Sequence, residues 1–433
     1  MNNQTNNTEQ QRQLLLKMFE AAVQRAHPSR CLPQHLPEPP ANGKIIILAA
    51  GKASAAMAAA AEQFYKERGA ADRIFGFATT RHGYGLKTSL IELVEAGHPV
   101  PDQASVKAAE RAVRMAREAG PDDLVLVLLS GGASALWSAP AEGVSFEAKQ
   151  QLTKALLRSG ARIHDLNCVR KHLSRIKGGK LARAAYPARL LTLAISDVPG
   201  DDPATIGSGP TVADPTTLGD ARAVLERFGI SPPPEIAAAL ANPANETPKP
   251  GDRALVSSEY KLIAAPSASL EAAADVARQA GYRVEILGDA LEGEARDVGA
   301  EHAKLALKAR ANGERLAILS GGELTVTVRG NGLGGPNQEY ALGLAIALEG
   351  APGIAALAAD TDGADGGAGN PEDPAGAIVL PDTLTRAAAK NLKAANFLAN
   401  NDSTTYFREL GDLVFSGPTQ TNVNDFRAIL IDP

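Results

Sequence analysis

Cysteine is nearly missing: Cys31 and Cys168 are the two in a chain of 433 residues, and neither falls in a CxxC or Cys/His spacing. That argues against a disulfide framework or a zinc site and for a reducing compartment. Aromatic residues make up 4% with a single Trp, too few for a base-stacking surface or a large aromatic pocket, so a small polar ligand fits better. Positive charge is not in excess. The formal net charge is −5, and no basic field draws nucleic acid or an anionic membrane. No 18 apolar residues run together, so no membrane span is expected. The opening MNNQTNNTEQQ has no apolar stretch of the kind a secretory signal needs. The expectation is a soluble cytoplasmic protein with small-molecule partners and no nucleic-acid or membrane partner.

What is present is an ordinary globular composition, 44% hydrophobic and 21% charged, at a length that suggests two or three domains. Apolar runs at 44–50, 74–79, 91–95, 124–129 and 190–195 have the near-continuous Val/Ile/Leu content of parallel strands covered on both faces. Helix candidates at 53–66, 105–118 and 146–158 lie between them. This alternation predicts a doubly wound, Rossmann-like α/β domain over residues 1–245. The Pro- and Asn-rich stretch NPANETPKPG at 242–251 reads as a linker. Strand candidates resume at 261–265, 284–287, 316–319, 354–358, 377–380 and 427–431, predicting a second α/β domain over 252–433. LVLLSGGAS at 126–134 and LAILSGGEL at 316–324 are locally alike, too short a match to establish a duplication.

Small and polar residues gather where these strands end: Gly51-Lys52-Ala53-Ser54, Ser130-Gly131-Gly132, Ser196-Asp197, Ser320-Gly321-Gly322 and Asp360-Thr361-Asp362-Gly363. Open parallel sheets bind ligands beyond their carboxyl strand ends, and a helix starting there offers free N–H groups to an anion. Five such loops predict a site for a phosphate-bearing ligand, although each alone could be a tight turn. Lys52 opens an Ala-rich helix, where its charge opposes the helix dipole unless it serves a phosphate. The loop is not a Walker A, since residue 46 is Ile and residue 53 is Ala. Asp197 stands at a strand end opening the long loop 196–217, placed to take a hydroxyl proton or to hold Mg²⁺.

The basic stretch NCVRKHLSRIKGGKL at 167–181 reads as one helix. Val169, Leu173 and Ile176 form its stripe, and Lys171 and Arg175 form a cationic row four residues apart. These cations either hold a carboxylate or phosphate or simply face solvent. DTDGADG at 360–366 fails as an EF-hand loop because residues 364 and 371 are Ala and Pro, which leaves a magnesium- or ribose-contacting loop, or a plain turn. RGNGLGGPNQE at 329–339 contains a formal GxGxxG at Gly330, Gly332 and Gly335. The alternating stretch 324–328 before it suits a half-exposed strand, so the loop reads as phosphate-wrapping rather than as a nicotinamide fingerprint.

On the strings GKAS (51–54), GHPVPD (97–102), LLSGGASAL (128–136), NCVRKHLSRIKGGKLA (167–182), SDVPGDDPATIGSGPTVAD (196–214), SGGE (320–323), GNGLGGPNQEYAL (330–342), DTDGADG (360–366) and GPTQTNVND (417–425), the chain resembles, nearly end to end, the glycerate 2-kinase family with a C-terminal MOFRL domain. The resemblance implies a Rossmann-like first domain, a second α/β domain with its MOFRL region at about 315–430, and an active site in the cleft between domains. It implies ATP-dependent phosphorylation of D-glycerate at the 2-hydroxyl, with Mg²⁺. Lys52 is then the essential phosphate-facing lysine and Arg329 its companion, while Asp197, from its place at the strand end, is the expected base or metal ligand. Ser130, Gly131, Gly132, Gly330, Gly332, Gly334, Gly335, Asn337, Glu339 and Asp362 are the expected nucleotide contacts, with Asp197 and Asp360 for the metal. The chain departs from the family in having Pro336 where members more often have arginine. The alternatives are an NAD(P)H-dependent hydroxypyruvate reductase, with His164 or His172 as hydride-transfer partner, and a non-catalytic sensor. A homodimer is compatible with the sequence, which does not fix the oligomeric state.

Overall fold

Six short runs dominated by Ile, Leu, Val and Ala build the frame of the first half. The structure, a computed structural model, describes residues 2–367 and 370–433, with side chains from residue 7 onward. It divides into two compact units: Cys31–Ile263, and Met1–Arg30 joined with Ala264–Pro433.

In the first unit the strands are β1 (Ile45–Ala50), β2 (Ile74–Arg81), β3 (Glu92–Ala96), β4 (Leu124–Leu129), β5 (Arg189–Ile195) and β6 (Ser258–Ala264). They lie in the order β3-β2-β1-β4-β5-β6, and β1 to β5 pair in parallel. β1 and β4 are buried along their whole length, because helices cover both faces and leave no side for alternating polar residues. From β1 the chain runs outward to β3, then crosses back to place β4 on the other flank of β1. The carboxyl ends of β1 and β4 therefore form the topological switch point, where doubly wound sheets hold ligands. The helices Ser54–Glu67, Gln103–Arg117 and Phe146–Arg158 match the expected spans to within two residues. Asp102 and Ser105 close the second with a capping box, and Ser145 Oγ caps the third, accepting from Ala148 N at 3.1 Å.

The basic stretch is not one helix. It is helical over Ile163–His172, breaks, and resumes as Lys180–Ala185. Between these, Ala141 N donates to Leu173 O and Arg175 N to Ala139 O, so the chain pairs with a neighbouring segment instead of continuing its helix. Gly178 and Gly179 then turn it at φ +59° and +78°. Lys171 and Arg175 consequently share no helix face.

The second unit has a mixed sheet of β7 (Arg283–Ile286), β8 (Leu316–Gly322), β9 (Ile354–Asp360), β10 (Gly376–Val379), β11 (Leu413–Val414) and β12 (Asp425–Ile431), ordered β11-β10-β9-β12-β8-β7. β12 is antiparallel to both β8 and β9. One face packs Leu316, Ile318, Ile429 and Ile431 on the helices 295–311 and 336–348. The other packs Ala317, Leu319, Leu357 and Leu430 on Leu15, Met18, Phe19, Ala22 and Val23 of the first helix, Asn2–Ala26, and on the helix Pro266–Gln279.

The division thus differs from the expected 1–245 and 252–433. The first helix belongs with the later half because its apolar stripe completes that sheet's second face. The segment read as a linker is built into the first unit, where the Asn245 carbonyl accepts from Lys180 Nζ at 2.7 Å. The expected strand at 324–328 does not form. Thr325 makes one bridge to Glu294, and Thr327 gives its N–H (3.0 Å) and hydroxyl (2.9 Å) to the Glu294 carboxylate.

Candidate active site

At the switch point of the first unit the loops after β1 and β4 are tied together. Lys52 N donates to Gly131 O at 2.8 Å, and Ala53 N to Ser130 Oγ at 2.9 Å. Gly51 has φ +133°, and a Cβ there would stand 2.1 Å from Ser130 Oγ, so only glycine admits this approach. Gly132 lies at φ +83°, with an imagined Cβ 2.9 Å from His98 Cδ2 and Nε2 and 3.5 Å from Lys52 Cγ. The Lys52 side chain thus runs past Gly132 beside the His98 imidazole, bringing Lys52 together with Ser130, Gly131 and Gly132. The Ser130 hydroxyl is spent on holding the loop. Asp197 is half-buried one residue beyond Ser196, at the end of β5, the strand next to β4.

A cavity of about 270 Å³ opens beside these loops, lined by His98–Pro101, by Gly132, Ser134 and Ala135, by the helix Phe146–Arg158 and by Arg170 and Lys177. Among the described residues Lys149, Lys154, Arg170 and Lys177 line it, and no carboxylate does. Lys177 Nζ donates to Ser134 O at 2.7 Å and Ser134 Oγ at 2.9 Å. Burial first, then the neighbouring cations, holds the Lys149 ammonium down at about 7 and Lys177 well below its ordinary value. Sequence reasoning passed over Lys149. The signal was there: it precedes Leu152 by three residues and Leu156 by seven, so it falls on the buried stripe of its own helix.

In the second unit the glycine-rich segment has a different job from the expected one. The N–H groups of Arg329 and Gly330 donate to Asn401 Oδ1 (2.7 and 3.0 Å), that of Asn331 to Asn400 Oδ1 (3.2 Å), that of Gly332 to Asn400 O (3.0 Å) and that of Leu333 to Asp402 Oδ1 (3.1 Å). These five donors, which a phosphate-wrapping loop would offer to its ligand, are taken. Gly330, Gly332, Gly334 and Gly335 lack side chains because a Cβ would meet Asn400, Asp402, Ser403 and Asp365 within 2.3–2.5 Å. The helix after this segment, Pro336–Leu348, is also closed. Asp365 accepts from Asn337 N at 2.9 Å and Gln338 N at 2.8 Å, so the N-terminal donors do not await an anion. Glu339 is buried against Arg296 (2.6 Å) and Asn401 Nδ2 (2.9 Å). Arg329 carries an exposed side chain.

Ser320-Gly321-Gly322 is not a loop either. It ends β8, and Arg427 donates to the carbonyls of Gly321 (3.0 Å) and Gly322 (3.2 Å). Asp360 closes β9, where its Oδ1 accepts from Asp362 N at 2.8 Å, and Asp362 Oδ1 accepts from Ala364 N at 2.9 Å. His172, a residue the reductase alternative needs, is buried with Nδ1 2.8 Å from Cys168 O and Nε2 2.9 Å from Glu246. That is a structural setting.

A parallel sheet with a lysine loop and a cationic cavity at its switch point defines an α/β protein that binds a small anionic ligand. Residues 14–241 match the family described as a domain of unknown function, DUF4147, and residues 316–425 match the MOFRL family. A D-glycerate 2-kinase from Thermotoga maritima is 39% identical over 96% of this chain and 97% of its own. A crystal structure of glycerate kinase from the same organism superposes with a TM-score of 0.86 at 37% identity, covering 98% of this chain and 100% of that one. A protein from Agrobacterium vitis, provisionally named a hydroxypyruvate reductase, is 51% identical over 97% of this chain and 94% of its own. The chain belongs to the glycerate 2-kinase family with its MOFRL domain.

Proposed function

We propose that this chain transfers the γ-phosphoryl group of ATP to the 2-hydroxyl of D-glycerate. The observation that carries the reading is Lys52 at the β1/β4 switch point, running past Gly132 at the edge of a cavity whose described lining holds four lysine and arginine side chains and no carboxylate. The kinase names of full-length relatives support it. Phosphoryl transfer asks a protein for positioning and positive charge more than for covalent chemistry. Lys52 meets charge developing on the transferring group, and Arg329 is the second cation proposed. Asp197, at the end of the adjacent strand, accepts the proton of the 2-hydroxyl. Among the described residues no group of three or more His, Cys, Asp or Glu could hold a metal ion. Mg²⁺ commonly binds through one or two carboxylates plus phosphate oxygens. Asp197 is the carboxylate proposed to face an ion that enters with ATP, and such an ion would neutralise phosphate charge.

The test is turnover of purified protein with D-glycerate, ATP and Mg²⁺, with the product isomer assigned by phosphorus NMR. 2-Phosphoglycerate is expected. 3-Phosphoglycerate would overturn the regiochemistry, and NADH oxidation with hydroxypyruvate but no phosphorylated product would overturn the reading altogether.

A further inference from the structure

Four buried lysines, Lys149, Lys171, Lys177 and Lys180, lie in this part of the first unit, and three of them are accounted for. Lys180 Nζ donates to the carbonyls of Ser174 (2.7 Å), Asn245 (2.7 Å) and Lys171 (3.2 Å). Lys171 pairs with Asp214 at 3.5 Å, and Lys177 has both acceptors of Ser134. These are lysines used as structure. Lys149 is 6% exposed, lines the cavity, and its Nζ has no hydrogen-bond partner among the described residues. A buried amine without an acceptor opposes folding. A chain that keeps one next to an empty space keeps it for what enters that space.

We propose that Lys149 is the residue that binds the substrate's carboxylate, and that this cavity sets the enzyme's preference for a 2-hydroxy acid. The inference rests on the kinase reading above and deepens it. In such an acid the carboxylate sits on the carbon that carries the reacting hydroxyl, so its site must adjoin the site of transfer. Gly132 supplies that adjacency, lining the cavity while it touches the path of Lys52. The groups facing Lys149 are Lys154 on its own helix, Arg170 on the helix 163–172, Arg175, Lys177 and Lys180 on the segment after it, and His98 on the loop after β3. Among the described residues no carboxylate lines the cavity to hold the ammonium charged before substrate arrives. A carboxylate entering beside Lys149 restores the charged form. Binding near neutral pH therefore takes up a proton: amine, proton and carboxylate become an ammonium–carboxylate pair. Pro99, Pro101, Phe146 and Leu157 wall the remaining space.

The experiment compares wild type with Lys149→Met and Lys149→Arg. Lys149→Met should raise KM for D-glycerate at least tenfold while KM for ATP stays within twofold. The wild-type dependence of that KM on pH near 7 should disappear, and Lys149→Arg should recover most of the affinity without it. Thermal stability of Lys149→Met should be unchanged or higher, whereas loss of a structural lysine would lower it. An unchanged KM for D-glycerate, or an effect confined to ATP, overturns the assignment. Calorimetry of D-glycerate binding in two buffers of different ionisation enthalpy reads proton uptake without turnover. A wild type that binds with uptake, and a Lys149→Met variant that does not, would uphold the inference even if the kinase assay failed.

Discussion

Gly132 allows backbone strain and site geometry to be separated by one pair of substitutions. Gly132→Ala places a methyl group at φ +83°, 2.9 Å from two atoms of the His98 ring. Non-bonded carbon atoms prefer about 3.5–4.0 Å, so the imidazole must retreat by about 0.6 Å or more, with Lys52 Cγ next in line. Gly143 lies in the same unit at φ +79° with nothing within 4 Å of its imagined Cβ. Both substitutions meet the left-handed penalty of about 1–2 kcal/mol, a melting shift of roughly 2–8 °C for units of this size. Only Gly132→Ala also displaces groups at the proposed site, where a misplacement near 1 Å can cost about a hundredfold in rate. Steady-state kinetics beside thermal denaturation should show similar losses of stability, with kcat reduced about ten- to a hundredfold in Gly132→Ala and near wild type in Gly143→Ala. Equal kcat values for the two variants would refute this account of the site.

Other consequences can be measured alongside. Lys52→Met should lower kcat by about 10²–10³-fold with little change in melting temperature, since the residue is only half-buried; full activity would remove Lys52 from the mechanism. Glu339→Gln breaks a buried pair with Arg296 and should cost about 3–5 kcal/mol in denaturant unfolding. A raised KM for ATP at unchanged stability would instead reinstate Glu339 as a nucleotide contact. Burial pushes the Asp365 carboxyl up to about 7, above its unfolded value, so the folded state holds that proton more tightly. The resulting stability is present at acid pH and lost as pH rises through 7. Asp365→Asn should flatten the stability profile between pH 5 and 8, and an unchanged slope would contradict the assignment.

The first unit was largely legible because burial on both faces writes itself as unbroken apolar runs, and β1 and β4 are such runs. Lys52 could be placed at once, since its position depends only on where β1 stops. The second unit was harder to read. The alternation at 324–328 had the period of a strand, but its polar residues were matched to one partner, Glu294, rather than to solvent. Glycines at 330–335 spell a ligand loop by spacing alone, yet Gly330, Gly332 and Gly334 approach the 400–403 turn, some 70 residues away in sequence, and Gly335 approaches Asp365. The two Ser-Gly-Gly strings look identical but lead to different structures, a helix in one case and an arginine-capped strand end in the other. Lys149 was missed because a charge within a helical pattern reads as solvated by default. Its environment comes from residues 98–101, 132–135 and 170–177, which no local window contains.

The first helix imposes an order on how the chain is made. Its apolar stripe is covered by the helix 266–279 and by strands that include β12 at 425–431, and Gln11 ends up 2.9 Å from Asp432. Some 400 residues must be synthesised between the helix and its last partner, roughly 20–80 s at ordinary elongation rates. Until the helix 266–279 has been made Leu15, Met18 and Phe19 have no native surface to rest on, and the strand side of their cover follows only with β12, while Cys31–Ile263, a unit closed in itself, is already complete in sequence. A nascent chain of this protein therefore completes the sequence of its first unit before the amphipathic helix that precedes that unit has its native cover.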